Sequence, residues 1–329
     1  MKFREFQNED VSQAAKLLAN RHKKERDVFP VLKSKFSESK NTENIINELL
    51  KDNYVKGICA YKGNKLLGYI LSNIKSNSMF GRCASVSYEG LAIEDAETPE
   101  LYRKLYSEIA KIWIDHGALY HKIMVPAGYQ KVLDSWLRLS FAFEQVYGTT
   151  KLSKKEVNIP KNMVIKEADE NDSEELRKIS NLICSYQAAP PTYAAVLPEK
   201  LEQIREGYGK LPKDKDSIVL LAYKEGKLLG FQSAYIEDEH LNMMIPVKSI
   251  KIEVGGTIEE ARGTGIGHLL TQLMFNKAIE KGFKNAFADW RITNLSSSNF
   301  WPKEGFKPIA YRMIRKIDER VYWADGIRK

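Results

Sequence analysis

A run of glycines and small residues near the C-terminal third is the segment best suited to bind an anion. It reads Arg262, Gly263, Thr264, Gly265, Ile266 and Gly267, followed by His268. From Ile266 onward, apolar residues recur at helical spacing as far as Ala278, so the glycines open a helix. The first amides of a helix are unpaired and carry about half a positive charge, to which Arg262 adds a full one. The segment therefore predicts a phosphate or pyrophosphate site.

Two familiar phosphate loops are excluded by spacing. A P-loop ends in Gly-Lys-Ser or Gly-Lys-Thr, whereas Gly267 is followed by His268. A dinucleotide fingerprint follows an early strand and has an acidic residue about 20 positions further on, which is not the pattern here.

The sequence predicts secondary-structure elements on both sides of this loop that position it. Residues 249–257 alternate as a strand does and end in Gly255, Gly256 and Thr257, where paired glycines indicate a bulge or a close approach. After the helix, residues 285–293 form a second strand. Asn294 then begins a short helical segment that runs to Gly305 and Phe306.

The order Arg-x-x-Gly-x-Gly, followed by Asn after the next strand and then Gly-Phe, resembles the GCN5-related N-acetyltransferases (GNAT family) over about residues 163–317. The resemblance implies an α/β fold with mixed sheets and acetyl-CoA as co-substrate. It implies coenzyme contacts at Gly255, Thr257, Arg262, Gly263, Thr264, Gly265, Ile266, Gly267, His268 and Asn294. In the family, the strand at 249–257 splays from its neighbour and pairs its backbone with the pantetheine arm.

Two carboxylates near the expected splay are candidates for the base that accepts the amine proton. Asp289 lies five residues before Asn294, where relatives place a glutamate; Glu253 is on the preceding strand. For each, an ordinary ion pair is an equally good explanation, and Arg291 is an obvious partner for Asp289.

One position departs from the family pattern. Relatives commonly protonate the leaving thiolate with a tyrosine seven residues after the Asn, and that position is Trp301. An indole N–H donates a hydrogen bond but does not deliver a proton. Tyr311, Tyr193 and Tyr235 are possible substitutes, and release of the thiolate without an acid is another alternative.

The chain repeats itself, which predicts two domains. The hairpin at 60–69 returns at 222–231, an offset of 162 residues, and Trp136 and Phe141 match Trp301 and Phe306 at an offset of 165. We predict a domain at 1–152, a polar linker, a domain at 161–318 and a tail at 319–329.

The first copy lacks the loop. At the offset of 165, Arg262 matches Glu97, Gly265 matches Glu100 and Gly267 matches Tyr102. Carboxylates there repel phosphate, so we expect one coenzyme site per chain, with the N-terminal copy serving as scaffold or acceptor wall.

Composition narrows the class of protein. The net charge of +8 is spread over scattered Lys and Arg residues, which disfavours a nucleic-acid-binding protein. Three unclustered cysteines and a charged N-terminus predict a cytoplasmic protein, no apolar run is long enough for a membrane span, and the histidines lack metal-ligand spacing.

These features predict an acetyltransferase that moves an acetyl group from acetyl-CoA to a primary amine of a small molecule or peptide, acting as a monomer or homodimer. The segment 185–193 and the acidic turn 237–240 are candidate acceptor contacts. The alternative is a protein that binds or senses acyl-CoA without turning it over.

Overall fold

The computed structural model describes residues 1–77, 80–236 and 242–324 and has the mixed α/β fold predicted from the sequence. The chain divides into two compact units. The first unit comprises residues 1–146, 241–244 and 309–329, and the second comprises 147–240 and 245–308. Residues 325–329 of the predicted tail, and the acidic turn at 237–240, lie outside the described residues.

The first unit is a sheet with helices packed on it. Its elements in chain order are β1 (Lys2–Glu5), α1 (Val11–Val28), α2 (Ser39–Leu50), β2 (Val55–Lys62), β3 (Lys65–Asn77), β4 (Gly81–Val86), β5 (Leu91–Ile93), α3 (Glu100–Asp115), β6 (Tyr120–Pro126), α4 (Gln130–Leu137) and the start of β7 (Ala142–Lys151). The apolar stripe of α3, with Leu105, Ile109 and Trp113, packs on the sheet and forms the centre of the core.

The second unit repeats this plan. It contains β8 (Met163–Glu167), α5 (Ser173–Ile179), α6 (Asn181–Ala188), α7 (Pro198–Lys210), β9 (Ser217–Lys224), β10 (Lys227–Tyr235), β11 (Ser249–Thr257), α8 (Ile266–Glu280), β12 (Asn285–Arg291) and α9 (Leu295–Lys303), and β13 (Lys307–Lys316) follows. The strand order is β7-β12-β11-β10-β9-β8. A core around Leu176, Leu221 and Phe231 lies between this sheet and the helices of the first half of the unit.

The last strands of the two repeats are exchanged between the units. In the first unit the strand order is β1-β2-β3-β4-β6-β13-β7, and β13 pairs antiparallel with β6. In the second unit, the end of β7 lies against β12, where Thr149 Oγ1 donates to Ala286 O at 2.9 Å. The boundaries of the compact units therefore differ from the predicted domain boundaries at residues 152 and 161. Those boundaries follow the sequence repeat, and they stay a prediction about the extent of each repeat.

The elements around the glycine loop agree with the sequence pattern to within two residues. The predicted strand 249–257 is β11, and the predicted helix 266–278 extends to Glu280 as α8. The predicted strand 285–293 ends earlier, at Arg291. Among the described residues, no helix combines the length and apolar character that crossing a membrane requires.

Candidate functional site

Two parallel strands of the second unit separate at the centre of the sheet. β11 and β12 pair in register from Ser249 with Asn285 to Ile252 with Ala288. Beyond these pairs β11 continues to Thr257 and β12 to Arg291, and the described residues show no further pairing between the two. The opposite edge of β11 stays bonded to β10. The inner edge of β11 is therefore left with backbone groups that a ligand can pair with.

Gly255 and Thr257 lie on this open part of β11. A Cβ at Gly255 would come within 2.7 Å of the side-chain amide of the buried Gln232, so the glycine gives room for this close approach. The register with β10 shifts where Gln232 pairs with Gly255 and Ala234 with Ile252, so the extra residue of the bulge is on β11, at Glu253 and Val254, just before the glycines. Thr257 is partly buried and pairs with Gly230.

The glycine loop follows β11 and begins α8 as predicted. Gly263 has φ of +76° and Gly265, the residue before the first helical turn, has φ of +90°. Only glycine adopts this left-handed backbone without strain, so the backbone geometry explains why both positions are glycine. Thr264 Oγ1 donates to Ala261 O at 2.7 Å and braces the turn. Gly267 has ordinary backbone angles and faces the ring of Phe300.

A tyrosine from α6 lies beside the loop, and sequence reasoning had given it no role at the coenzyme site. The guanidinium of Arg262 stacks over the ring of Tyr186, 4.8 Å from its centroid. The Tyr186 hydroxyl is hydrogen-bonded to Ser296 Oγ at the start of α9. Tyr186 thus links the loop to the helix that follows the splayed strand. The only sequence feature that could have indicated Tyr186 as a site residue was its position in an aromatic segment.

His268 belongs to a polar cluster on α8. Its Nδ1 lies 2.7 Å from Glu304 Oε1, and Gln272 Nε2 donates to the other oxygen of that carboxylate at 2.6 Å. Glu304 and Gln272 are buried, whereas the side chain of His268 is 59% exposed. The carboxylate therefore fixes the imidazole ring and leaves its Nε2 edge directed away from Glu304.

Asn294 caps α9. Its side-chain oxygen accepts a hydrogen bond from Ser297 N at 3.0 Å, and the residue is 8% exposed. This hydrogen bond explains why an asparagine stands at the N-cap position. The predicted contact of Asn294 with the coenzyme stays a prediction.

The two candidate bases differ in setting. Asp289 is the first β12 residue beyond the paired register, so it lies where the strands separate, and it is partly buried. Glu253 is the first such residue on β11, but it forms an ion pair with Lys251 at 2.8 Å and its side chain is 43% exposed. Arg291 Nε donates to Gln187 Oε1 at 3.3 Å. Both residues lie where the strands separate, and the greater burial of Asp289 makes it the stronger candidate.

Trp301 packs in an aromatic cluster. Its ring centroid is 4.9 Å from that of Phe300, 5.1 Å from Phe306 and 6.5 Å from Trp290. In the first unit, Trp136 is fully buried against Tyr102 and Phe141. Packing is thus the observed role at both positions.

The three tyrosines suggested as substitutes are dispersed. Tyr235 donates its hydroxyl to Asp214 at 3.1 Å, which raises the pKa of Tyr235. Tyr193 is 72% exposed on the segment after α6. Tyr311 belongs to the first unit, where it packs on Phe143 and burial raises its pKa.

The first unit has a helix start of different character at the matching place. α3 begins at Glu100 after Pro99, which has φ of −57°, and Glu100 forms an ion pair with Arg103. Glu97 N donates to Glu94 O in the turn before it. Within the described ranges, no three His, Cys, Asp or Glu side chains are grouped in a way that could hold a metal ion.

Comparison with known proteins agrees with this geometry. Residues 182–306 match the model of the family described as Acetyltransferase (GNAT) family. No curated protein is similar enough in sequence to match.

Solved structures share the fold over nearly the whole chain. A GCN5-related N-acetyltransferase from Sphaerobacter thermophilus is 12% identical, with 96% of this chain and 95% of that chain covered and a TM-score of 0.60. A tandem GNAT protein from the clavulanic acid biosynthesis pathway is 12% identical, with coverage of 96% and 98% and a TM-score of 0.52. A glucosamine N-acetyltransferase region of a fungal multi-domain β-N-acetylglucosaminidase is 13% identical with a TM-score of 0.57, and this chain spans 38% of that protein. The splayed strands and the glycine loop both lie within residues 182–306, the segment that matches the model of the GNAT acetyltransferase family.

Proposed function

We propose that the protein transfers an acetyl group from acetyl-CoA to a primary amine at the splayed strands of the second unit. The acceptor is a small molecule or a peptide, and the segment 185–193 forms part of its wall. The observation that carries the proposal is the junction of an open β11 edge with a helix start at Gly265, because the two together suit an arm that bonds to backbone and ends in a pyrophosphate.

The loop supplies the anion-binding part of this function. The first amides of α8 have no partner within the helix, and the helix dipole adds partial positive charge in front of Gly265. Arg262 is exposed beside them and is stacked on Tyr186, which holds its guanidinium near the helix start. Pyrophosphate accepting from these groups would anchor the coenzyme with its thioester at the splay.

The reaction needs a neutral amine and a place for its proton. The amine nitrogen attacks the thioester carbonyl carbon, the carbon–sulfur bond breaks, and the nitrogen loses one proton to Asp289. Coenzyme A leaves as a thiolate. A thiol of ordinary acidity, with a pKa of about 8.5, is a fair leaving group without a general acid.

The ring of Tyr186 packs against Arg262 of the loop, and we assign the Tyr186 hydroxyl as the hydrogen-bond donor to the departing sulfur. It lies between Arg262 and Ser296, on the side of the loop where α9 begins. A Tyr186→Phe variant should bind acetyl-CoA with unchanged stoichiometry but turn over about tenfold more slowly.

The second candidate function is an acyl-CoA-binding sensor. The packing of Trp301 among Phe300, Phe306 and Trp290 favours it, because the family's usual proton donor is replaced by a tryptophan that packs in an aromatic cluster. This alternative predicts binding of acetyl-CoA without release of its thiol.

One experiment separates the two functions. Calorimetry with acetyl-CoA gives the stoichiometry, and a thiol-release assay over a broad panel of small amines and N-terminal peptides gives turnover. We expect one site per chain and amine-dependent thiol release. Binding without release on any amine would favour the sensor, and absence of binding would refute both.

A further inference from the structure

The two compact units differ in net charge. The first unit contains 28 Lys and Arg residues against 21 Asp and Glu residues, a net charge of +7, and the second contains 23 against 22, a net charge of +1; together these are the 51 and 43 of the whole chain. The positive charge therefore belongs almost entirely to the unit that lacks the glycine loop, so phosphate binding at that loop does not account for it. A surface of one charge concentrates ligands of the opposite charge.

Four neighbouring strands of the first unit bring basic and aromatic side chains into one row. Lys75 on β3 pairs with Cys83 on β4, Cys83 pairs with Tyr120 on β6, and Tyr120 pairs with Lys316 on β13. Paired residues of a sheet share a face, and Lys122, two residues after Tyr120, lies on that same face. The strand pairing thus gathers three lysines and a tyrosine from distant parts of the sequence.

This row lies on the sheet face opposite α3. The alternate positions of the same strands belong to the core that contains the apolar stripe of α3, and they are Ile74, Ala84 and Ile123. Successive side chains of a strand point to opposite faces, so the row is directed away from that core. Lys75 and Lys316 are exposed, and Tyr120 and Lys122 are partly exposed. We call the surface formed by Lys75, Phe80, Tyr120, Lys122 and Lys316 the basic face.

Two cations of the basic face lie over aromatic rings. Lys122 Nζ is 4.9 Å from the centroid of the Phe80 ring, and Lys316 Nζ is 5.5 Å from that of Tyr120. The two rings are 5.8 Å apart and inclined to each other by 49°. Attraction between an ammonium group and the face of a ring holds each lysine near the sheet surface. Charges and rings therefore form one continuous patch.

The same two lysines have no carboxylate partner. Neither Lys122 nor Lys316 forms an ion pair with any residue in the described ranges, whereas Lys75 is paired with Asp52 at 2.5 Å. Asp318, which follows β13, is paired with Arg320. Lys122 and Lys316 are diagonal neighbours on antiparallel strands, which places their backbones about 7–8 Å apart. This separation is close to that of successive phosphates in an extended single strand of nucleic acid.

We propose that the basic face of the first unit binds single-stranded nucleic acid, with Lys122 and Lys316 facing backbone phosphates and Tyr120 and Phe80 offering ring surface to the bases. Proteins that bind single strands combine cations that follow the backbone with aromatic rings on which bases stack. An acidic peptide would complement the charge but would make no use of the rings.

This binding is a function beyond acetyl transfer. It departs from the expectation that the protein does not bind nucleic acid, which was based on Lys and Arg residues scattered along the sequence. The pairing of β3, β4, β6 and β13 is what brings such residues together on one face.

Fluorescence anisotropy of a labelled oligodeoxythymidine, titrated with the full chain, tests the proposal. We expect binding at low salt, with a slope of about −1.4 in log K against log salt, because each of two phosphate contacts contributes about −0.7. No binding at low salt would overturn the proposal. Saturating acetyl-CoA should leave the oligonucleotide bound, and its displacement would place the oligonucleotide at the glycine loop and overturn the assignment to the first unit.

Variants of the basic face separate phosphate contacts from stacking. Lys122→Ala and Lys316→Ala should each weaken binding and reduce the salt slope by about 0.7. Tyr120→Leu should weaken binding about tenfold without changing the slope, because stacking does not release counterions. Phe80→Ser, in the turn between β3 and β4, tests the second ring independently. A thermal unfolding scan of each variant verifies that it is folded.

The matched control is Lys40→Ala, which removes an exposed lysine of α2 and should change neither affinity nor slope. Equal effects of Lys40→Ala and Lys122→Ala would mean that general positive charge is responsible and would overturn the site. An oligoglutamate that competes as well as unlabelled oligodeoxythymidine, together with unchanged affinity in Tyr120→Leu and Phe80→Ser, would also overturn it and would assign the basic face to an acidic polypeptide.

Discussion

The turns that precede α3 and α8 occupy matching places in the two repeats, yet they present opposite charges. Before α8, two glycines in left-handed geometry and Arg262 leave the helix amides open. Before α3, proline at position 99 fixes the entry and Glu100 opens the helix with a carboxylate. The same fold element therefore carries open amides and a cation in one unit and carboxylates in the other, and only the first arrangement suits an anion.

The regions beyond the paired strands differ as well. In the first unit, β4 and β6 also stop pairing after Val86 and Ile123, and Tyr88, two residues after the last pair, is 2% exposed. Its hydroxyl donates to Glu25, and burial raises the pKa of that carboxyl. The guanidinium of Arg21 lies 2.7 Å from Glu25 and stacks 4.8 Å from the Tyr88 ring.

Val86 and Ile252 are the last paired residues of β4 and β11, so Tyr88 matches Val254, which is only partly buried. The first unit thus combines a turn that carries carboxylates with a buried Arg21–Glu25–Tyr88 group.

The largest contrast between the two turns is expected from exchanging their key residues. Gly265→Glu places a carboxylate at the helix start and forces a side chain into left-handed backbone, so acetyl-CoA affinity should fall by at least about 10³-fold. Calorimetry measures it. The matched control is Glu100→Gly, which should leave affinity and stoichiometry unchanged. A stoichiometry near two in the unaltered protein, or retained binding in Gly265→Glu, would mean that the two turns are not functionally different.

The next effect concerns the two carboxylates at the ends of the paired register. Asp289→Asn keeps the shape and removes the base, so turnover should fall by roughly 10²- to 10⁴-fold with acetyl-CoA affinity nearly intact. Glu253→Gln, which loses an ion pair with Lys251, should change turnover less than about threefold. Steady-state kinetics on the best acceptor amine measures both. The reverse ranking would transfer the role of base to Glu253.

Much of this site could be predicted because its determinants are local. Glycines that need left-handed geometry, a helix start and the strand before it are set within a few residues, and the positions of Gly263, Gly265 and β11 agree with the pattern. The exchange of β7 and β13 could not be predicted from the sequence, because neither segment alone contains information about a pairing with a distant segment.

The same limit explains Tyr186 and Lys155. Each lies far along the chain from the residue it meets, Tyr186 being 76 positions from Arg262 and Lys155 being 121 from Asn276. An aromatic residue in a loop-like segment and a lysine in a charged linker are common, so their types carry no signal. Only the three-dimensional arrangement brings them to the glycine loop and its helix.

The two matched tryptophans extend the comparison to stability. Trp136 is fully buried, whereas Trp301 is partly exposed at the edge of its aromatic cluster. Trp136→Ala should lower the free energy of unfolding by about 3–5 kcal/mol, and Trp301→Ala by roughly half of that. Chemical denaturation measures both. If Trp301→Phe also loses turnover while it stays folded, then the indole has a role in the reaction that its packing does not indicate.

The smallest expected effect, counted per pH unit, is the pH dependence of the stability of the first unit. Burial lowers the pKa of His22 to about 4, and burial lowers that of His121 to about 4, where Tyr106 and Ala118 O bond the two ring nitrogens of His121. An unfolded histidine titrates near ~6.5. Above that pH, each histidine is neutral in both the folded and the unfolded chain, and its contribution to stability is fully present. As the pH falls toward about 4, the unfolded chain binds protons that the folded chain does not bind. Each histidine should therefore reduce the free energy of unfolding by about 1.4 kcal/mol per pH unit across that window. Urea denaturation between pH 7 and pH 4 measures the slope, and His121→Gln should remove about half of it. A slope unaffected by this substitution would show that the buried histidines of the first unit are not what makes its core sensitive to acid.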